Sequence, residues 1–140
     1  MRSALSPRAV RLRALGTTLV YLALGILGNW DAWRQGGSDH LVGGSGGDLG
    51  QEIWFLKVVS HNFFNGLGFL QTDLINYPIG VNLTNMTSMP TLGAILAPIT
   101  GIFGPITSYN VATTLAPALG ALGMYWAAGR WMNTWVARFV

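Results

Sequence analysis

Apolar positions along this chain fall into four stretches that differ in length and period. Residues 14–30 are 17 consecutive uncharged residues, about 25 Å of helix at roughly 1.5 Å per residue and so at the short end of what crosses a hydrocarbon core. Trp30 and Trp33 stand where an interfacial aromatic belt belongs. Residues 49–64 have a different pattern. Ile53, Leu56, Val59 and Phe63 recur at spacings of three and four, Trp54, Phe55 and Val58 widen the stripe, and Gln51, Glu52, Ser60 and Asn62 occupy much of the rest. That is an amphipathic helix, suited to lying along a membrane interface. Residues 92–103 are apolar but short and contain Pro98, which predicts a re-entrant or interfacial helix. Residues 106–129 are long enough to cross, with Pro117 as a kink.

The polar stretches between them read as loops. Residues 31–47 are polar and Gly-rich, and Gly66–Met89 is irregular, with a turn signal at Tyr77-Pro78-Ile79-Gly80. Asp73 belongs to a turn. Asn82-Leu83-Thr84 and Asn85-Met86-Thr87 match the short glycosylation pattern, which is common by chance.

Charge turns this pattern into a topology. Only 9% of the 140 residues are charged, and the 56 residues from Leu74 to Gly129 contain no Asp, Glu, Lys or Arg. A soluble surface needs far more, about a quarter of the residues. Arg2, Arg8, Arg11 and Arg13 precede the first apolar run with no acid among them, which places the N-terminus in the cytoplasm. A cleaved signal peptide shares that basic start, and Ala23-Leu24-Gly25 passes for a cleavage site, but the later membrane-like segments favour a retained span. If 106–129 crosses and 92–103 does not, Arg130 and Arg138 return to the cytoplasm, as the positive-inside rule prefers. The expected fold is an all-α membrane protein of the plasma membrane. Two transmembrane helices, 14–30 and 106–129, are joined by a long extracytoplasmic loop, 31–105. That loop carries the amphipathic helix 49–64 and the short apolar helix 92–103, and the basic ends, 1–13 and 130–140, are cytoplasmic.

Few chemistries survive this reading. The chain has no cysteine, hence no disulfide framework and no thiolate site. Its net charge of +3 comes from eight dispersed Lys and Arg, not a basic patch, so no nucleic-acid partner is expected. No nucleophile elbow, phosphate-binding loop or dinucleotide fingerprint is present.

The pivotal group is Asp48, on a glycine-rich lead-in at the start of the amphipathic helix. Asp48-Leu49-Gly50-Gln51 has the form of a capping box, so the carboxylate is read as a helix cap. A carboxylate held ionised by the helix N-terminus at an outer interface is equally suited to act as a general base. Glu52 lies one turn on. With His61 or Asp39-His40 these acids match no metal-ligand spacing, so a divalent cation is without a supporting motif. Lys57 and His61, also one turn apart, either meet a phosphate or solvate at the interface.

A resemblance sharpens this. A basic N-terminus and one transmembrane helix are followed by an outer loop opening with Gly47-Asp48, Gln51 and Trp54-Phe55-Leu56. The loop continues through Asn76-Tyr77-Pro78, Gly80-Val81-Asn82-Leu83, Pro98, Phe103-Gly104-Pro105 and Tyr109-Asn110. Over about residues 14–130 this resembles the start of bacterial, especially actinobacterial, multi-spanning membrane glycosyltransferases of the C-type (GT-C) superfamily. The resemblance implies sugar transfer from a polyprenyl-phosphate donor in the membrane lipid to an extracytoplasmic acceptor. It implies Asp48 as the acidic residue of the first outer loop that catalysis needs, acting as general base and positioned by Gln51. Lys57 and His61 become the groups near the leaving phosphate, and Asn76, Tyr77 and Asn82 shape the acceptor cleft. Members of that superfamily have many more transmembrane helices than two. The chain alone is therefore expected to be inactive, completed by missing C-terminal helices or by a partner subunit. The rival expectation is a small non-catalytic membrane scaffold or complex subunit in which Asp48 is only a cap. A transporter fragment is weaker, because the crossing segments lack the ionisable residues that mark a permeation path.

Overall fold

A computed structural model of the protein describes residues 6–43, 46–132 and 138. Arg2 and most of the 130–140 end, with Gly44 and Ser45 of the glycine-rich loop, lie outside the described residues. The described chain is mostly helical and divides into two compact units, Met1–Trp30 with Thr113–Val140, and Asp31–Ala112.

The first unit contains α1 (Pro7–Gly28) and most of α5 (Pro105–Ala128). Helix α1 starts a full two turns before the apolar run because its start signal is local. The Ser6 hydroxyl accepts from the Ala9 amide at 3.3 Å and Pro7 occupies the first helical position, where its fixed φ and missing N–H cost nothing. The arginines that mark the edge of the apolar stretch do not interrupt the helix. Gly25 sits against the Thr114 carbonyl, where a Cβ would come within 2.5 Å, so only glycine permits that approach. At 22 and 24 residues, roughly 33 and 36 Å at 1.5 Å per residue, both helices are long enough to cross a hydrocarbon core of about 30 Å. Both are also apolar enough, and only 11% and 17% of their most apolar windows are buried in the protein. Helices at the centre of a soluble domain would be mostly buried. Instead Leu19, Leu24, Leu27, Leu119, Met124 and Trp126 stand exposed.

The second unit is built on α3 (Leu49–Phe64) and α4 (Pro90–Phe103), which pack against each other. The expected bounds of α3, 49–64, agree with those observed. Its environment differs from the expectation. The apolar stripe is not left for a membrane interface. Phe55, Leu56, Val58 and Val59 are buried in the protein, and the approach of α4 is close enough that a Cβ on Gly93 would lie 2.7 Å from that of Val59. Ser60 and Asn62, read as part of the polar face, are buried too. The Ser60 hydroxyl donates to the Ala97 carbonyl at 3.2 Å, a route by which a buried hydroxyl avoids an unsatisfied bond. Phe63 and Phe64 are exposed instead.

Helix α4 starts at Pro90, two residues before the apolar run, again with proline at the first position, and it keeps Pro98 inside. At 14 residues it is about 21 Å long, shorter than a hydrocarbon core. Gly104, with φ of 88°, ends it, and Pro105 starts α5. The Thr100 and Ser108 hydroxyls, both buried, share a 2.8 Å hydrogen bond across that junction.

The segment 66–89 is less irregular than its composition suggests. It contains an antiparallel pair, β1 (Gln71–Thr72) with β2 (Val81–Asn82), in the register Gln71 to Asn82 and Thr72 to Val81. A short 3₁₀ turn, Leu83–Asn85, follows. Leu83, fully buried, completes the core with Phe55 and Val58, and Trp54 and Val81 pack on it. A short helix, α2 (Trp30–Arg34), opens the unit.

Candidate functional site

Residues 37–42, in the loop that precedes Asp48, share three hydrogen bonds with one side chain. Asn110, in the first turns of α5, is fully buried. Its amide nitrogen donates to the Gly37 carbonyl at 2.9 Å and the His40 carbonyl at 2.6 Å, and its oxygen accepts from the Val42 amide at 2.9 Å. One amide thus supplies backbone partners that this loop cannot find in regular structure. Gly37 also packs against the Trp33 ring, where a Cβ would lie 2.7 Å away.

Asp48 does not cap α3, contrary to the reading of its sequence. Its backbone is already helical, φ −72° and ψ −15°, and its side chain makes no capping bond. A cap needs extended backbone angles to aim its oxygen at the amides two and three residues on. Here Gly46 and Gly47, at φ 124° and 59°, hold the positive-φ conformations just before Asp48. The helix therefore begins to wind one residue early, and the Glu52 amide donates to the Asp48 carbonyl at 3.0 Å. Gln51 is exposed and does not reach back. The Asp48 carboxylate is exposed and free of structural bonds among the described residues.

The neighbouring acid, Glu52, lies close to the Tyr109 phenol near the start of α5. Lys57 and His61 are not brought to Asp48. At about 100° per residue they lie roughly 180° and 220° around α3 from it, on the exposed face. There His61 meets the Asn65 amide at 3.4 Å.

The remaining sequence-derived site residues gather around the hairpin. Asn76 has a positive φ of 56°, a conformation asparagine tolerates better than most residues, and its amide donates to the Gly80 carbonyl at 3.2 Å. Tyr77, joined to Pro78 by a cis peptide, is at the exposed tip. The Asn82 oxygen accepts from the Thr84 amide and hydroxyl at 2.9 and 2.6 Å, capping the 3₁₀ turn. Asn82 also lines an open cleft of about 380 Å³ with Asn62, Leu67, Gln71, Asp73 and Ile79. Asn62 underlies this cleft. Its buried amide donates to the Gly68 and Gln71 carbonyls at 2.8 and 2.9 Å. Asn76 and Asn82 therefore have structural duties in the hairpin, and neither Asn76 nor Tyr77 lines the cleft. Among the described residues no three of His, Asp and Glu stand close enough to hold a metal ion.

The amides that organise both loops, Asn110 and Asn62, do not stand out in the sequence as functional groups. For Asn110 the available signal is an amide in a charge-free, apolar context, since such a group must find partners when buried. Comparison with protein-family models, curated proteins and solved structures finds no match.

Proposed function

We propose that this chain is the N-terminal segment of an integral membrane glycosyltransferase that transfers a sugar from a polyprenyl-phosphate donor to an extracytoplasmic acceptor, with Asp48 as general base. In this reading α1 and α5 cross the plasma membrane, the N-terminus is cytoplasmic, and the loop 31–105 lies outside. The observation that carries it is the state of Asp48, an exposed carboxylate that the helix does not use as a cap. It stands after a loop that Asn110 holds by three bonds.

The chemistry asks little more of this group. The acceptor hydroxyl oxygen attacks the anomeric carbon and the bond from that carbon to the phosphate oxygen breaks. Polyprenyl phosphate leaves, and Asp48 takes the hydroxyl proton. Charge developing on the leaving phosphate calls for donors or cations. Lys57 and His61 face away from Asp48 on α3, and we assign that role to neither.

The test is sugar transfer in membranes containing this chain together with the helices that complete it, comparing native protein with Asp48→Asn. Loss of transfer with unchanged insertion and accumulation supports the assignment. Equal transfer by the variant overturns the assignment of Asp48, and no transfer by the native protein in those membranes leaves the chain a non-catalytic membrane scaffold.

A further inference from the structure

The tip between β1 and β2 holds large apolar side chains out into solvent. Ile79 is 87% exposed, Tyr77 82% and Leu74 51%. This is not a loosely placed loop whose side chains are free to fold back. The Gly80 amide donates to the Asn76 carbonyl at 2.9 Å, the Asn76 amide returns a bond to the Gly80 carbonyl, and the Leu74 amide is taken by the Thr72 hydroxyl at 3.2 Å. Gly80 itself, at φ 73°, lies so close to Thr72 that a Cβ would be 2.6 Å from its carbonyl oxygen. The turn is built to present Leu74, Tyr77 and Ile79 outward.

We infer that this tip is a membrane anchor that seats in the bilayer interface, an inference that rests on the reading of α1 and α5 as membrane-spanning. Three observations favour lipid over a protein partner. The unit containing the tip begins three residues after α1 ends, and it includes the start of α5, so the chain on both sides of the tip leads directly into the helices read as membrane-spanning. Between Lys57 and Arg130 the only charged residue is Asp73, at the neck of the tip, so burying the tip desolvates no charge beyond it. Its local hydrogen bonds also satisfy part of the backbone, which is what a non-helical segment needs on leaving water. The tyrosine sets the depth, because its ring prefers apolar surroundings while its hydroxyl stays at the headgroups.

The chain has no cysteine, so single cysteines are clean probes. Ile79→Cys, Asn85→Cys and Leu19→Cys are each labelled with an environment-sensitive fluorophore in the full chain and reconstituted into phosphatidylcholine–phosphatidylglycerol vesicles. Quenching is then read with aqueous iodide and with nitroxide lipids of graded depth. The label at 79 is expected to be blue-shifted and quenched by shallow nitroxides severalfold more than the label at 85, which iodide quenches instead. The label at 19, on the exposed side of α1, reports the membrane reading independently through deep nitroxides. If 19 responds to deep nitroxides while 79 behaves like 85, the anchor is refuted and the membrane reading stands. A blue shift at 79 without lipid quenching refutes it in favour of a protein contact. If 19 meets no lipid nitroxide, the membrane reading fails and the anchor fails with it.

Discussion

Replacing Asn110 with alanine removes, in one step, the three bonds that fix residues 37–42. Each such bond contributes about 1 kcal/mol net, because water competes for the same groups in the open state. The loop should therefore loosen by roughly 2–3 kcal/mol, the lower figure applying where the freed carbonyls regain water. At about 1.4 kcal/mol per tenfold, that is up to two decades in the population of the open loop. Trypsin reads this population directly. Between Asp31 and Ala112 the only tryptic sites are Arg34 and Lys57, the first beside the loop and the second inside α3. When opening and closing are fast, cleavage follows the open population. In detergent micelles, Asn110→Ala should be cut after Arg34 tens of times faster than native protein, with cleavage at Lys57 little changed. Thr107→Val is the control, because the Thr107 contact with the Gly37 carbonyl is long, 3.4 Å, and weak. Native-rate cleavage of Asn110→Ala would refute the reasoning. So would equal acceleration at both sites, which would mean that the unit as a whole had opened.

Two further substitutions test the packing of the same unit. Gly93→Ala puts a methyl 2.7 Å from the Val59 Cβ. The overpacking, about 1–3 kcal/mol, exceeds the helix-propensity gain of roughly 1 kcal/mol, so denaturant unfolding should show a net loss. Gly120→Ala, with open space around it, should show none, and Val59→Ala should relieve part of the Gly93→Ala defect in the double variant. Asn62→Ala removes two bonds beneath the cleft, an expected loss of about 1–3 kcal/mol. Amide exchange should speed up across 66–72, and unchanged exchange there would contradict the role assigned to Asn62.

What the sequence discloses follows from how local each signal is. The bounds of α3 are legible because a glycine pair and an apolar period define them within one stretch. The start of α1 is not, because arginines mark the end of an apolar span without ending a helix, and the decisive residues are Ser6 and Pro7. The buried face of α3 is misread for a different reason. Ser60 and Asn62 look like solvent-facing residues until α4 and the hairpin supply a carbonyl for each donor, and those partners are 37 and up to 9 residues away. Asn110 depends on contacts some 70 residues distant, which no periodicity carries. At the candidate site, Asp48 is legible as a chemically notable position, but its backbone angle, which decides whether it caps, is set by the glycines before it. The separation of Lys57 and His61 from Asp48 is simple helix geometry and follows once α3 is accepted as regular.

The central claim is that the fold leaves the Asp48 carboxylate free. It is tested most directly by comparing the unfolding free energies of native protein, Asp48→Ala and Asp48→Asn in the full chain, at low and high salt. A capping side chain is worth about 1 kcal/mol, and asparagine replaces it well. A free carboxylate has only its attraction to the helix N-terminus, about 0.3–1 kcal/mol and screened by salt. The expected result is that Ala and Asn behave alike, with a small loss at low salt that vanishes at high salt. A loss of about 1 kcal/mol for Ala that persists at high salt and is restored by Asn would identify a helix cap, and Asp48 would then be a structural residue with no carboxylate to spare for chemistry.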